Sequence, residues 1–147
     1  MKKFVILPIL LALVFVVVIL VNPESTSGGK KEGEEITTPS GLKITDLKIG
    51  TGKEAKKSDT VVADYVGTLE DGKQFDSSAR HGGPQTFSLN EVVPGWQEGI
   101  PGMRVGGKRK LVVPAALGYG RRGFPPDVPP NAVLIFEIEL KDVMQQK

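Results

Sequence analysis

Side chains able to do acid–base, nucleophilic or metal chemistry are scarce in this sequence. There is no cysteine, and His81 is the one histidine. The lack of thiols excludes disulfides, thiolate catalysis, iron–sulfur clusters and cysteine-ligated zinc. No second histidine exists to form a metal-binding pair. A Ser-His-Asp triad would depend on His81, and no G-x-S-x-G turn supports one. Gly118-Tyr119-Gly120-Arg121-Arg122-Gly123 spells G-x-G-x-x-G, but a dinucleotide site needs a helix to begin there. Pro125, Pro126, Pro129 and Pro130 follow and forbid that helix, so a proline-bounded loop is expected. The sequence is better supplied with aromatic surface. Tyr65, Phe75, Phe87, Trp96, Tyr119, Phe124 and Phe136 are seven of its nine aromatics. A small domain that gathers such rings around one concavity can take an apolar group out of water. The chemistry expected is binding and desolvation, with no metal and no cofactor.

Alternating apolar and polar residues define the elements that must position these rings. Leu42–Ile49 reads as a strand with Leu42, Ile44 and Asp46 on one side and Ile49 past a change of phase. Thr60–Leu69 is a clearer strand, with Val61, Ala63 and Tyr65 on one face and Asp64 on the other. Asp71-Gly72, between Leu69 and Phe75, predicts a two-residue hairpin whose central residues both need positive φ. Gln85–Leu89 and Lys108–Val113 are further strands, the latter stopped by Pro114. Val133–Lys141 closes the set, Leu134, Phe136, Ile138 and Leu140 facing in and Glu137 and Glu139 facing out. One helix is expected, around Val93–Ile100. Pro94 suits a first helical turn, Trp96 and Ile100 stack at i, i+4, and Pro101 and Gly102 stop it. The fold class is therefore α+β.

The chain of 147 residues divides into three parts. Residues 1–21 are Met1-Lys2-Lys3 followed by an apolar run at 4–21, interrupted only by Pro8. Residues 22–38, rich in Ser, Gly, Lys and Glu, read as a flexible linker. Residues 39–147 form the folded domain. An 18-residue apolar run rising 1.5 Å per residue reaches about 27 Å, close to the hydrocarbon thickness of a bilayer. Lys2 and Lys3 place the N-terminus inside and the domain on the extracytoplasmic side. A retained membrane anchor is expected, with secretion after signal cleavage as the alternative. Setting aside Lys2 and Lys3, basic and acidic residues balance at 17 each, so no nucleic-acid surface is expected. Lys108-Arg109-Lys110 is read as the solvated face of a strand.

The fragments V-V-A-D-Y-V-G-T-L-E-D-G-K-Q-F-D-S-S from Val61, V-V-P-G-W from Val92, G-Y-G around Tyr119 and I-F-E-I-E-L from Ile135 together resemble the FK506-binding protein family of peptidyl-prolyl cis-trans isomerases. The resemblance covers roughly the last 108 residues. It implies a twisted five-stranded antiparallel sheet wrapped around the short helix, with Trp96 as the floor of the remaining cavity. It implies that Tyr65, Phe75, Asp76, Val92, Val93, Trp96, Tyr119 and Phe136 line a proline pocket, with Glu91 and Val128 at its rim. Tyr65, Phe75, Asp76, Trp96, Tyr119 and Phe136 carry the activity in this reading. Val92, Val93, Phe87, Phe124, Val128 and Glu91 contact substrate. Proline-containing polypeptides are the implied partners, and FK506- and rapamycin-like macrolides the implied ligands. Three departures from the family pattern bear on specificity. Gln85 stands where an aromatic is common, making that wall more polar. His81 stands near the usual support for the acid at Asp76, with Arg80 as a substitute. Phe124 and Asp127 occupy the variable loop. The rival reading is a module on the same fold that binds proline peptides, or acts as a chaperone, without turnover.

Overall fold

The computed structural model of the protein describes residues 29–145. The apolar run at 4–21 and residues 22–28 of the expected linker lie outside the described residues. Among the described residues no helix is long and apolar enough to cross a membrane.

Seven strands pair antiparallel in one sheet: β1 (Glu35–Thr37), β2 (Lys43–Lys48), β3 (Thr60–Leu69), β4 (Gln74–Ser77), β5 (Gln85–Ser88), β6 (Lys108–Val113) and β7 (Leu134–Met144). Their order is β1-β2-β6-β7-β3-β4, and β5 pairs the first half of β3 while β4 pairs the second. The expected five strands become seven for two reasons. Glu35–Thr37 falls inside the segment read as linker, yet it pairs with residues 43–45 of β2. All three of its residues are exposed, and an edge strand held by backbone hydrogen bonds leaves no apolar pattern to read. The flank of β3 is shared by two short strands, parted by a 3-10 turn at Ser78–His81.

Two bulges explain where the alternation misleads. Opposite β3, the register shifts so that Ala63 faces Leu140 and Val62 faces Asp142, leaving Lys141 as the extra residue. The inward phase resumes at Val143, which is buried, so β7 continues to Met144 beyond the expected end at Lys141. In β2 the partners pass from Asp46–Arg109 to Lys48–Lys108, and Leu47 is the residue without a partner. That is the change of phase before Ile49. The hairpin after β3 is also not the two-residue turn expected. The Gly72 amide donates to the Leu69 carbonyl and only Gly72, at φ +86°, is left-handed. This is a turn with a glycine bulge, closed by the Asp71 carboxylate accepting from the Lys73 amide at 2.9 Å.

The helix α1 (Pro94–Gly99) lies against the sheet and buries Trp96. Its contact with β6 depends on glycines one turn apart. A methyl group on Gly95 would stand 2.6 Å from Val113, and one on Gly99 2.7 Å from Leu111. Bare backbone at both places lets the helix sit in the sheet's concavity. Arg109 fixes the far end of the helix. It is buried rather than on the solvated face expected for Lys108-Arg109-Lys110, because β6 turns its middle residue inward. Its Nε and Nη2 donate to the two Asp46 oxygens at 2.6 and 3.2 Å, and Nη1 donates to the Gly99 carbonyl at 2.7 Å. A buried guanidinium is tolerable only with such bidentate pairing.

Candidate active site

At the N-terminal end of α1 a cavity of about 290 Å³ opens between helix and sheet. Trp96 forms its floor and is almost fully buried. Three rings meet the indole edge to face: Tyr65 at 5.4 Å, Phe87 at 5.1 Å and Phe136 at 5.3 Å between centroids. Tyr65 and Phe136 come from the inward faces of the adjacent central strands β3 and β7, and Phe87 from β5. Phe75, from β4, packs edge-on against Phe136 at 5.5 Å. Val92 and Val93 at the mouth of the helix, with Glu91 beside them, complete one side, and Tyr119 in the loop after β6 the other. The Trp96 indole N–H is the one buried side-chain polar atom among the described residues that has no partner.

Gly67 was not singled out from the sequence, and it sets the shape of this well. A methyl group there would stand 2.6 Å from the Phe75 ring and 3.0 Å from the Phe136 ring. The available signal was an isolated glycine inside an otherwise strong strand, which marks a close approach.

Asp76 is the acid at the edge of the cavity, and donors surround it. The Tyr65 hydroxyl donates to Oδ2 at 2.7 Å, the Ser77 amide donates to Oδ1 at 2.8 Å, and His81 Nε2 lies 2.9 Å from Oδ1. Partial burial pushes the carboxyl up, but the bonds from Tyr65, His81 and Ser77 outweigh it and hold Asp76 below its ordinary range. The same contact works oppositely on Tyr65, whose phenol is pushed far up by burial and then by Asp76. Burial, with the Asp76 charge second, also raises Tyr119. The edge of the well therefore carries one anion and two phenols that keep their protons.

The structure brings together most of the expected residues: Tyr65, Phe75, Asp76, Trp96, Tyr119 and Phe136, with Phe87, Glu91, Val92 and Val93, line this one cavity. Phe124 and Val128 do not line it. Phe124 is 60% exposed and packs tilted on Tyr119 at 5.3 Å. Val128 is buried behind the loop, exchanging backbone hydrogen bonds with Phe124. Gln85 forms no polar wall, because its amide donates to the carbonyls of Gly83 and His81 at 2.8 and 3.2 Å. His81 supports Asp76 directly, whereas Arg80 donates to the Phe75 and Gln74 carbonyls at 2.9 and 3.3 Å. The stretch from Gly118 to Gly123 is loop and starts no helix. A larger cleft of about 510 Å³ lies at the other end of α1. Charged groups such as Lys48, Arg104 and the Asp46–Arg109 pair line it, and no aromatic does.

An antiparallel sheet closed over one short helix, with an aromatic well at the helix's N-terminal end, is an architecture suited to taking a small apolar group out of water. The family model for FKBP-type peptidyl-prolyl cis-trans isomerases matches residues 51–141, and the chain belongs to that family. Curated relatives include FK506-binding protein 4 of Dictyostelium discoideum, 48% identical over 118 residues, covering 79% of this chain and 32% of that protein. FkpA of Escherichia coli is 48% identical over 113 residues, covering 77% of this chain and 42% of FkpA. The chain thus spans less than half the length of these relatives. The crystal structure of Escherichia coli FkpA superposes with a TM-score of 0.71, covering 77% of this chain and 53% of that one. The AtFKBP13 structure superposes at 0.70 with 43% identity, covering 76% of this chain and 99% of that one.

Proposed function

We propose that this chain is an active prolyl isomerase of the FKBP type, acting on proline-containing polypeptides with the residues of the Trp96 well. The observation that carries the reading is the well itself, with an indole floor met edge-on by three rings and one carboxylate at its edge. Rotation about an X–Pro bond faces a barrier near 18–20 kcal/mol, and no covalent bond need be made or broken. The planar amide separates charge between oxygen and nitrogen, which water favours, and the twisted transition state loses that separation. A dry well raises the planar form relative to the twisted one. Trp96, Phe75, Tyr65, Val93 and Phe136 grip the prolyl ring, Tyr119 holds a substrate carbonyl through its hydroxyl, and Asp76 orients the edge. A thousand- to million-fold acceleration requires only about 4–8 kcal/mol, within the range of desolvation and orientation. FK506- and rapamycin-like macrolides bind the same well.

The proposed place of action is the extracytoplasmic side of a membrane, through an anchor at 4–21, with a secreted form as the alternative. The length of the apolar run at 4–21 and the basic Lys2 and Lys3 before it support that placement.

NMR exchange spectroscopy on an apolar-Xaa–Pro peptide tests the activity. The full chain should broaden the cis and trans signals without metal or nucleotide, and rapamycin should abolish the effect while quenching or shifting Trp96 fluorescence. Rapamycin binding without exchange would leave a proline-binding module on the same fold.

A further inference from the structure

Of the three donors around Asp76, two keep their charge state throughout the physiological range. One is the Ser77 amide, and the other is the Tyr65 phenol, which burial and Asp76 hold protonated. The third is His81, and imidazole is the side chain whose ordinary titration falls between pH 5 and 8. The backbone carrying this ring is well held. Ser78–His81 form a 3-10 turn closed by the Gly82 and Gly83 amides on the carbonyls of Ala79 and Ser78. Arg80 ties that turn to the Phe75 and Gln74 carbonyls, and the Gln85 amide donates to the His81 carbonyl. We propose that His81 is a positioning residue that makes substrate binding in the Trp96 well pH-dependent, through its contact with Asp76.

Among the charged and titratable groups around this contact, His81 is the only imidazole. Asp76 comes from β4, Tyr65 from β3, Arg80 from the turn itself, and Tyr119 and Glu91 from across the cavity. From β5, Gln85 is uncharged. As the imidazolium, His81 offsets the Asp76 charge, so the partly negative carbonyls of a bound peptide meet a nearly neutral edge. As the neutral ring, it leaves that carboxylate facing them. The effect falls on binding rather than on rotation, because the charge stands at the edge of the well and not on its aromatic floor. It is modest, since the side chains of His81 and Asp76 are 49% and 36% exposed and partly screened by water.

The inference rests on the isomerase reading for its substrate, and its test separates the two. The full chain is assayed from about pH 5.5 to about pH 8.5. KM for an Xaa–Pro peptide should rise about two- to fivefold with pH while kcat stays nearly level. Rapamycin affinity, read from Trp96 fluorescence, should weaken over the same range. His81→Arg should be flat at the low-pH level and His81→Gln flat near the high-pH level. Absent turnover with a His81-dependent rapamycin profile removes the isomerase reading and leaves this one standing. Flat KM and rapamycin profiles in the wild type, or a slope retained in His81→Arg, overturn it.

Discussion

The Tyr65–Asp76 hydrogen bond shows how a single polar contact can organise an otherwise apolar well. Tyr65 contributes its ring to the floor cluster and its hydroxyl to the carboxylate at the edge. Tyr65→Phe keeps the ring and removes the donor. The expected loss is about 1 kcal/mol of stability at neutral pH, small because Asp76 is partly in water. The sign of its pH dependence follows from the direction of the Asp76 shift. A carboxyl held below its ordinary value stabilises the fold above the unfolded value of about 3.9, and that contribution disappears as pH falls through the folded value. The gap between wild type and variant in urea unfolding should therefore be full at neutral pH and close in acid. An equal gap under both conditions would assign the hydroxyl's effect to packing.

Elements are placed by a few close approaches and one buried ion pair. Gly67→Ala puts a methyl group against two rigid rings of the well, whereas most surface changes on β3 would be absorbed. A cost of about 1–3 kcal/mol is expected, with a loss of rapamycin-induced Trp96 fluorescence change that exceeds the effect of stability. An unchanged ligand titration would mean that Phe75 and Phe136 can retreat without narrowing the well. The Arg109–Asp46 pair joins β6 to β2 and holds the last carbonyl of α1, that of Gly99. Truncation to Arg109→Ala strands Asp46 and that carbonyl, at an expected cost of about 3–5 kcal/mol. The double change Arg109→Met with Asp46→Leu should recover much of it, because it removes the stranded charge. Chemical denaturation of the three proteins decides between these outcomes, and a double variant as weak as Arg109→Ala would refute the charge argument.

For the whole molecule, the two ends of α1 have different characters: an aromatic well at one and a charged cleft reached by the first described residues at the other. If the run at 4–21 anchors the chain, the domain works beside the bilayer on its extracytoplasmic side, on newly exported polypeptides. Membrane fractionation with protease treatment checks this. Full-length protein should pellet with membranes, resist a high-salt wash and lose its domain only to protease added from outside. Intact Met1-containing protein in the cytosol would overturn the proposed location. A shortened soluble form outside would support the secreted alternative.

Inward-facing residues of the long central strands and the proline-started helix were legible in the sequence, because burial on one face imposes a period of two or 3.6 along the chain. The aromatic supply of the well was legible for the same reason, since Tyr65 and Phe136 fall on inward phases. Contacts that leave no period were not. Strand β1 is all exposed, Lys141 breaks phase without a turn residue, and Arg109 is a cation on an inward position. His81 and Arg80 are neighbours in sequence with similar charge chemistry. Only the fold of the 3-10 turn decided which one meets Asp76, because that turn aims Arg80 at backbone carbonyls and His81 at the carboxylate. Tertiary structure likewise set Phe124 on Tyr119 and Val128 behind the loop, since loop closure depends on backbone pairing that side-chain identity does not reveal.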